Sequence, residues 1–230
     1  MKKALRIAAL VAVLVVLGAA IANSMVKPSS SSKVWNKEMT VGKEDGKNFF
    51  IIYSDLVCPY CVAFENAIVD HEEEFKQYLE DNDILLEVRI SEFLYEYGET
   101  RPINSRYSAE ATYCAKNEGK FWKYYNKAIK TVWTDYFEGS GKSAAESMRS
   151  LGKDYWIGIG KEVGLGESFE KCVRDDETLD EVKKNTEKTA KMVNGGMPYF
   201  KFNEFATSGF DLSWGWDYVL YYFEAGLESK

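Results

Sequence analysis

An apolar run that ends in two closely spaced cysteines limits the possible folds of this chain more than any other stretch. Residues 48–54 read "NFFIIYS", which is too short and too aromatic for a helix and predicts a buried strand. Cys58 and Cys61 follow, and from Pro59 apolar residues recur at roughly helical spacing as far as Glu80. The sequence therefore predicts a strand, a tight turn that carries two thiols, and a helix that begins at Pro59.

The predicted turn places Cys58 at the N-terminus of the predicted helix. Pro59 is tolerated there, because the N–H group that proline lacks would be unpaired in the first turn anyway. Free backbone N–H groups and the positive end of the helix dipole favour a negative charge at this position, here a thiolate. The thiolate is the nucleophile of disulfide exchange. We therefore expect Cys58 to be the reactive sulfur and Cys61, one turn on, to be the less exposed resolving partner.

Three other roles are open to a Cys-x-x-Cys pair. It could be half of a zinc site, a thiol-protease centre or a purely structural bridge. Zinc is disfavoured because the other two cysteines are not closely spaced, and the single histidine, His71, lies in the charged run "DHEEE". That run reads as a solvated helix face, and nothing in the sequence aims an imidazole at Cys58. No metal site is predicted.

The remaining chain returns to apolar strand patterns after a long helical block. Residues 84–90, "ILLEVRI", read as a second strand. Residues 104–194 look helical, with a break near Gly119. "YFKF" at 199–202 reads as a strand with a possible partner near 206–210, and a closing helix follows. This order predicts an α/β fold in which one sheet is interrupted by an inserted helical subdomain.

The N-terminus predicts export from the cytoplasm. Three basic residues precede an apolar stretch in residues 1–22, which reads as a cleaved signal peptide or an uncleaved membrane anchor. A Ser-rich linker (23–34) leads to a domain expected at 35–230. Removing the three basic residues from a net charge of −7 leaves −10, which is unfavourable for binding nucleic acid. Because residues 1–22 predict export, the domain is expected in the periplasm or at the cell surface.

Four segments, taken together, resemble one family. "YSDLVCPYCVAFE" is similar to the active-site segment of DsbA-like thiol–disulfide oxidoreductases of the thioredoxin superfamily, in the branch that reads like "FSDFQCPYC". "CAKNEGKFWKYYNKAI" and "FEKCV" resemble segments of that family's helical insert, and "NGGMPYFKFN" resembles its cis-proline loop. The resemblance covers roughly residues 48–228. It implies a thioredoxin fold with an inserted helical subdomain.

The resemblance also implies roles for individual residues. Pro198 would be the cis-proline that faces the cysteine pair, and Pro59, Tyr60 and Met197 would contact substrate. A structural disulfide would join Cys114 to Cys172; two free buried cysteines are the alternative. No metal or organic cofactor is required.

The implied activity is disulfide formation in exported proteins with free thiols, with reoxidation by a quinone-linked membrane protein of the DsbB or vitamin K epoxide reductase type. Met197 stands where the family often has Thr or Val, and Tyr60 stands where its oxidases often have His, so a weaker oxidant is expected. Two alternatives stay open. One is a reductase or isomerase of the same fold, and the other is a redox-inert module that binds peptides.

Overall fold

The computed structural model describes residues 33–99, 101–138 and 151–229. The predicted signal peptide or anchor, most of the linker and the predicted helical residues 143–150 lie outside these ranges. The described chain forms a five-stranded sheet with helices against both faces. The strands are β1 (Thr40–Gly42), β2 (Asn48–Ser54), β3 (Ile84–Ile90), β4 (Tyr199–Phe202) and β5 (Phe205–Ser208). The helices are α1 (Pro59–Asp70), α2 (Glu72–Asp81), α3 (Phe93–Tyr97), α4 (Ile103–Asn117), α5 (Phe121–Val132, continued by a π-helical turn at Trp133–Phe137), α6 (Gly152–Glu162), α7 (Glu167–Arg174), α8 (Leu179–Met192) and α9 (Trp216–Glu228).

Strand β2 lies at the centre of the sheet, whose strand order is β1-β3-β2-β4-β5. It pairs in parallel with β3 and antiparallel with β4, and all seven of its residues are buried. Because both faces are covered, the strand reads as one apolar run without alternation. In the register with β4, Tyr53 lies opposite Tyr199. The turn that leaves β2 toward Cys58 therefore starts beside the residue that follows Pro198.

Packing of aromatic rings fixes helices α1 and α9 on one face of the sheet. Phe50 stacks on Phe202 with ring centroids 4.5 Å apart, and both rings contact Phe223 of α9. Phe64 of α1 packs on Phe200 at 4.6 Å. These fully buried rings bury large apolar areas, so they hold α1 and α9 firmly against the strands.

The opposite face is covered in part by the start of the described chain. The Arg89 guanidinium lies 3.8 Å from the ring centroid of Trp35 and donates hydrogen bonds to the Tyr53 hydroxyl and the Glu87 carboxylate. Glu87 also accepts the backbone N–H groups of Trp35 and Asn36. These contacts fix residues 33–36 across the sheet, next to the apolar cluster that contains Cys58 and Cys61.

The helices between β3 and β4 build a second core. Tyr124, Trp156 and Phe169 are fully buried there, and a disulfide joins Cys114 of α4 to Cys172 of α7. The element order is that of the predicted interrupted sheet, while the exact domain limits stay predictions. Among the described residues, none of the helices combines the length and apolarity that crossing a bilayer requires.

Three local features differ from the sequence-based expectation. The helix expected from Pro59 to Glu80 breaks at His71, whose ring stacks on Trp216 at 4.8 Å. Three glutamates then occupy the first turn of α2, where the helix dipole favours negative charge. The apolar spacing continues across this break and so conceals it. Strand β1 and helix α3 were not expected, because three and five residues are too few to show a period.

Candidate active site

The two closely spaced cysteines lie at the start of α1. Cys58 is the N-cap residue, with extended backbone angles (φ −80°, ψ 117°), and Pro59 occupies the first helical turn. The N–H of Cys58 donates to the carbonyl of Asp55 at 3.0 Å, which closes a tight turn between β2 and α1. The carbonyl of Cys58 accepts the N–H of Val62, the first regular helical bond. The sequence expectation for this turn and helix start is met by the structure.

The Cys58 sulfur faces the loop that contains Pro198. The Met197–Pro198 peptide bond is cis, and the Cys58 thiol donates to the Met197 carbonyl oxygen at 3.6 Å. Cys58, Cys61, Met197 and Tyr199 belong to one buried cluster. The structure thus brings together the residues that the sequence places about 140 positions apart.

Both cysteines are buried. Cys58 is 3% exposed and Cys61 is 0% exposed, whereas Tyr60 between them is 46% exposed. Cys61 is the less exposed of the pair, as expected. Cys58 was expected to be the reactive sulfur and the more exposed of the two, yet the residue is almost fully buried and its sulfur contacts the Met197 carbonyl.

The environment of Cys61 disfavours its thiolate. Burial raises the pKa of the Cys61 thiol well above its usual range, and the neighbouring Cys58 and Glu65 side chains raise it further. Glu65 is 2% exposed and lies one helical turn after Cys61 on α1. Burial raises the pKa of Glu65 to about 8, an effect that the nearby Ser54 and Tyr125 hydroxyls partly offset. A proton-bearing carboxyl therefore lies next to the inner thiol at neutral pH.

Asp55 is the second buried carboxyl of the site. Its oxygens accept hydrogen bonds from the backbone N–H of Val57 (3.1 Å), the backbone N–H of Leu94 (2.9 Å) and the hydroxyl of Ser105 (2.6 Å). Burial raises the pKa of Asp55 to about 6, and these three donors oppose the rise. The carboxyl is therefore mostly ionised at neutral pH and is satisfied by groups from the turn, α3 and α4.

The other sequence candidates lie away from this centre. Cys114 and Cys172 form their disulfide within the helical insert, with Cα atoms 5.9 Å apart. His71 stacks on Trp216 and is hydrogen-bonded through Nδ1 to the Ala67 carbonyl, so it does not face Cys58. Across the described ranges, His, Cys, Asp and Glu side chains nowhere gather in a group of three that could hold a metal ion.

Comparison with protein families identifies the fold family. A family model described as thioredoxin matches residues 35–206, well over half of the chain. The chain belongs to this thioredoxin family. A comparison with curated proteins gives no match.

Solved structures of this thioredoxin-like fold show the same architecture. MdbA, a thiol-disulfide oxidoreductase from Corynebacterium diphtheriae, is 17% identical, with a TM-score of 0.58 over 80% of this chain and 84% of its own. Oxidised BdbD from Bacillus subtilis is 16% identical, with a TM-score of 0.58 over 83% and 92% of the two chains. Reduced DsbA from Mycobacterium tuberculosis is 14% identical, with a TM-score of 0.55 over 83% and 95%. The predicted thioredoxin fold with a helical insert is confirmed.

Four residues of this thioredoxin-family site were missed in the sequence. They are Asp55, Glu65, Ser105 and Tyr125. Asp55 lies three residues before Cys58, within the segment "YSDLVCPYC". Glu65 follows Cys61 by four residues, which puts both on one side of α1. The positions of Asp55 and Glu65 close to the two cysteines could therefore have been recognised from the sequence. Ser105 and Tyr125 come from α4 and α5 of the insert, and no local pattern marks them.

Proposed function

We propose that this thioredoxin-family chain is an extracytoplasmic thiol–disulfide oxidoreductase that forms disulfides in exported proteins through Cys58 and Cys61. One observation carries the proposal: Cys58 caps helix α1 while its sulfur touches the Met197 carbonyl. Cys58 lies at the helix start, where free N–H groups and the positive end of the dipole favour a negative charge, although its side chain makes no capping hydrogen bond. The carbonyl supplies an acceptor at which an extended polypeptide can pair beside that sulfur.

The reaction starts from the Cys58–Cys61 disulfide. A substrate thiolate attacks the Cys58 sulfur, a mixed disulfide forms there, and Cys61 leaves with the electron pair of the broken bond. A second substrate thiolate then attacks the substrate sulfur of the mixed disulfide and releases Cys58. The substrate gains one disulfide and loses two protons and two electrons, which the Cys58–Cys61 pair takes up as two thiols.

Glu65 fits the proton step at Cys61. The leaving Cys61 sulfur takes up a proton readily, because burial raises the pKa of this thiol. The adjacent Glu65 carboxyl carries a proton below about pH 8 and can supply it. Both groups are almost fully buried, so a proton source inside the protein spares the reaction a path from bulk water.

The groups around Cys58 suit an extended chain as substrate. Tyr60 projects into solvent between the two cysteines, and Pro59 keeps the helix start rigid. A substrate N–H that donates to the Met197 carbonyl would bring its neighbouring cysteine to the Cys58 sulfur. Pro198 holds that loop in place beside β4. Pro59, Tyr60, Met197 and Pro198 are therefore assigned to substrate binding.

The proposed location of the domain is based on its N-terminal sequence. An N-terminal signal or anchor in residues 1–22 would place the domain outside the cytoplasm, where disulfides persist. The reduced pair would be reoxidised by a quinone-linked membrane protein of the DsbB or vitamin K epoxide reductase type. The cycle uses only cysteine chemistry, so the chain itself requires no cofactor.

Oxidation of a dithiol peptide tests the proposal. The domain is incubated as the disulfide with the peptide, and Cys58→Ser, Cys61→Ser and the double variant Cys114→Ser/Cys172→Ser are compared with it. We expect Cys58→Ser to abolish peptide oxidation. Cys61→Ser is instead incubated with the peptide in its disulfide form, where we expect the Cys58 thiolate to attack that disulfide and remain in a mixed disulfide, because the resolving Cys61 thiol is absent. The double variant lacks only the insert disulfide and should retain the activity. Full activity in Cys58→Ser would overturn the proposal, and peptide binding without exchange would identify a redox-inert binding module.

The equilibrium with glutathione decides the direction of the reaction. A reduction potential near about −120 mV indicates an oxidant, and one near about −270 mV indicates a reductant. We expect a value nearer the first, moderated by Tyr60 in place of histidine. A value near the second would replace disulfide formation with reduction or isomerisation while leaving Cys58 and Cys61 in the same roles.

A further inference from the structure

The carboxylate of Asp55 connects three separate parts of the chain. Oδ1 accepts the N–H of Val57 in the turn before Cys58. Oδ2 accepts the N–H of Leu94 in α3 and the hydroxyl of Ser105 in α4. All three donors are neutral groups that point at one fully buried, ionisable side chain. Such charge-assisted hydrogen bonds are roughly twice as strong as neutral ones.

The backbone of Asp55 also contacts the reactive cysteine. Its carbonyl oxygen accepts the N–H of Cys58 at 3.0 Å. The four-residue turn from Asp55 to Cys58 is therefore held at both ends and at Val57 by a single residue. Since Oδ2 is bound to the helical insert, the position of this turn depends on α3 and α4 as well as on β2.

We propose that Asp55 is a positioning residue for the Cys58–Cys61 pair, through which the helical insert contributes to the redox equilibrium of the site. This inference rests on the proposed function. Neither Asp55 Oδ2 nor Ser105 takes part in the exchange reaction. Their effect is to hold the turn so that the two sulfurs lie at bonding distance before the bond forms.

The physical reason is preorganisation. The equilibrium constant for closing a disulfide is proportional to the effective concentration of one thiol at the other. This concentration falls when the turn that positions Cys58 gains freedom. Loss of an Asp55 contact therefore makes the Cys58–Cys61 bridge easier to reduce. A side chain that only supported the core would lower the stability of the fold and leave this equilibrium unchanged.

A matched pair of serine variants separates these two roles. Ser105 and Ser108 are both fully buried on α4, but the Ser108 hydroxyl donates to the Ser105 carbonyl at 2.9 Å and does not touch Asp55. Ser105→Ala and Ser108→Ala therefore each remove one buried hydroxyl, and only the first loosens the carboxylate. Each variant domain is equilibrated with glutathione buffers, and its unfolding by urea is measured in parallel.

We expect Ser105→Ala to shift the glutathione equilibrium about three- to tenfold toward the dithiol, the range that one lost hydrogen bond produces. Ser108→Ala should lose similar stability and shift the equilibrium less than about twofold. Asp55→Asn, which keeps the shape but not both acceptor oxygens, should shift it at least as far as Ser105→Ala and provides the answer if Ser105→Ala fails to fold.

Two results would count against different claims. Equal glutathione equilibria for wild type, Ser105→Ala and Asp55→Asn would overturn the positioning role of Asp55 and leave the proposed function intact. A wild-type pair that does not exchange with glutathione at all would instead remove the proposed function on which the inference rests.

Discussion

The ring of Phe169 lies directly against the backbone of Gly160: a Cβ atom added at Gly160 would lie 2.1 Å from Cε1 of that ring. Gly160 belongs to α6 and Phe169 to α7, the helix that carries Cys172. The close approach of the two helices therefore depends on the absence of a side chain at Gly160.

Gly160→Ala should destabilise the protein by about 1–3 kcal/mol, because the buried Phe169 ring must move to admit the methyl group. Gly158→Ala is the control. It lies on the same helix. Apart from its chain neighbours and the backbone of its own helix, no described atom would lie within 4 Å of a Cβ added there. That change should stabilise by about 0.5–1 kcal/mol through helix propensity. Urea unfolding of both variants measures the difference, and shifts of the same sign would contradict the packing argument.

Removal of the insert disulfide should lower the free energy of unfolding without affecting Cys58 and Cys61. Cys114 and Cys172 are 58 residues apart in sequence, and closing a loop of that length contributes about 4 kcal/mol in the chain-entropy description. We expect the double variant Cys114→Ala/Cys172→Ala to lose free energy of unfolding of that order. Urea unfolding of the variant and wild type under non-reducing conditions measures the loss. Equal stabilities would mean that the unfolded chain gains little freedom when the bridge is absent.

Glu65 should make stability depend on pH in a defined window. Burial raises its pKa from an ordinary 4.5 to about 8. Its neutral form therefore favours the folded state fully below pH 4.5, and this contribution is lost as the pH rises to about 8. Between pH 4.5 and 8, wild type should lose up to about 4 kcal/mol relative to Glu65→Gln. Urea unfolding at several pH values measures this.

Glu110→Gln is the control for a specific effect on Cys61. Burial and the nearby Asp176 raise the pKa of Glu110 to about 8 as well, but Glu110 lies in the insert. Both variants should flatten the pH dependence of stability. Only Glu65→Gln should lower the pKa of the Cys61 thiol, measured by the ultraviolet absorbance of the thiolate in a Cys58→Ser background. An equal effect of both variants on Cys61 would exclude a direct interaction with Glu65.

Replacement of Arg89 by lysine should lower the stability of the protein. The Arg89 guanidinium covers Trp35 and donates to the Tyr53 hydroxyl and the Lys33 carbonyl, a set of contacts that a single ammonium group cannot reproduce. Arg89→Lys should destabilise by about 1–3 kcal/mol and speed amide hydrogen exchange at Trp35. Arg174→Lys, at an exposed ion pair that solvent screens, should leave the stability almost unchanged. Comparable losses would mean that the buried contacts of Arg89 add nothing.

The sequence predicted the parts of the site that are contiguous. A buried strand, a proline at the helix start and two cysteines one turn apart lie within fourteen residues, and each has a local physical signature. The Met197–Pro198 loop was placed through family resemblance, since no rule of periodicity connects it to Cys58.

The missed features depend on contacts between distant segments. The partners of the Asp55 carboxylate on α3 and α4 lie 39 and 50 residues away, and Tyr125 lies 60 residues from Glu65. The shielding of Cys58 depends on Met197, 139 residues away. The raised pKa values of Asp55 and Glu65 arise from burial. The burial of a carboxyl group cannot be inferred from its residue type in the sequence.

The 3% exposure of Cys58 has a consequence for any partner thiol. If Cys58 exchanges with partner thiols as proposed, an incoming sulfur has to reach it where the Met197 carbonyl contacts it, and we expect steric hindrance to exclude a cysteine anchored on a rigid globular surface. A flexible polypeptide can present its cysteine there. Burial of Cys58 should therefore select partners by conformational freedom, so that an unfolded chain reacts only before it becomes compact.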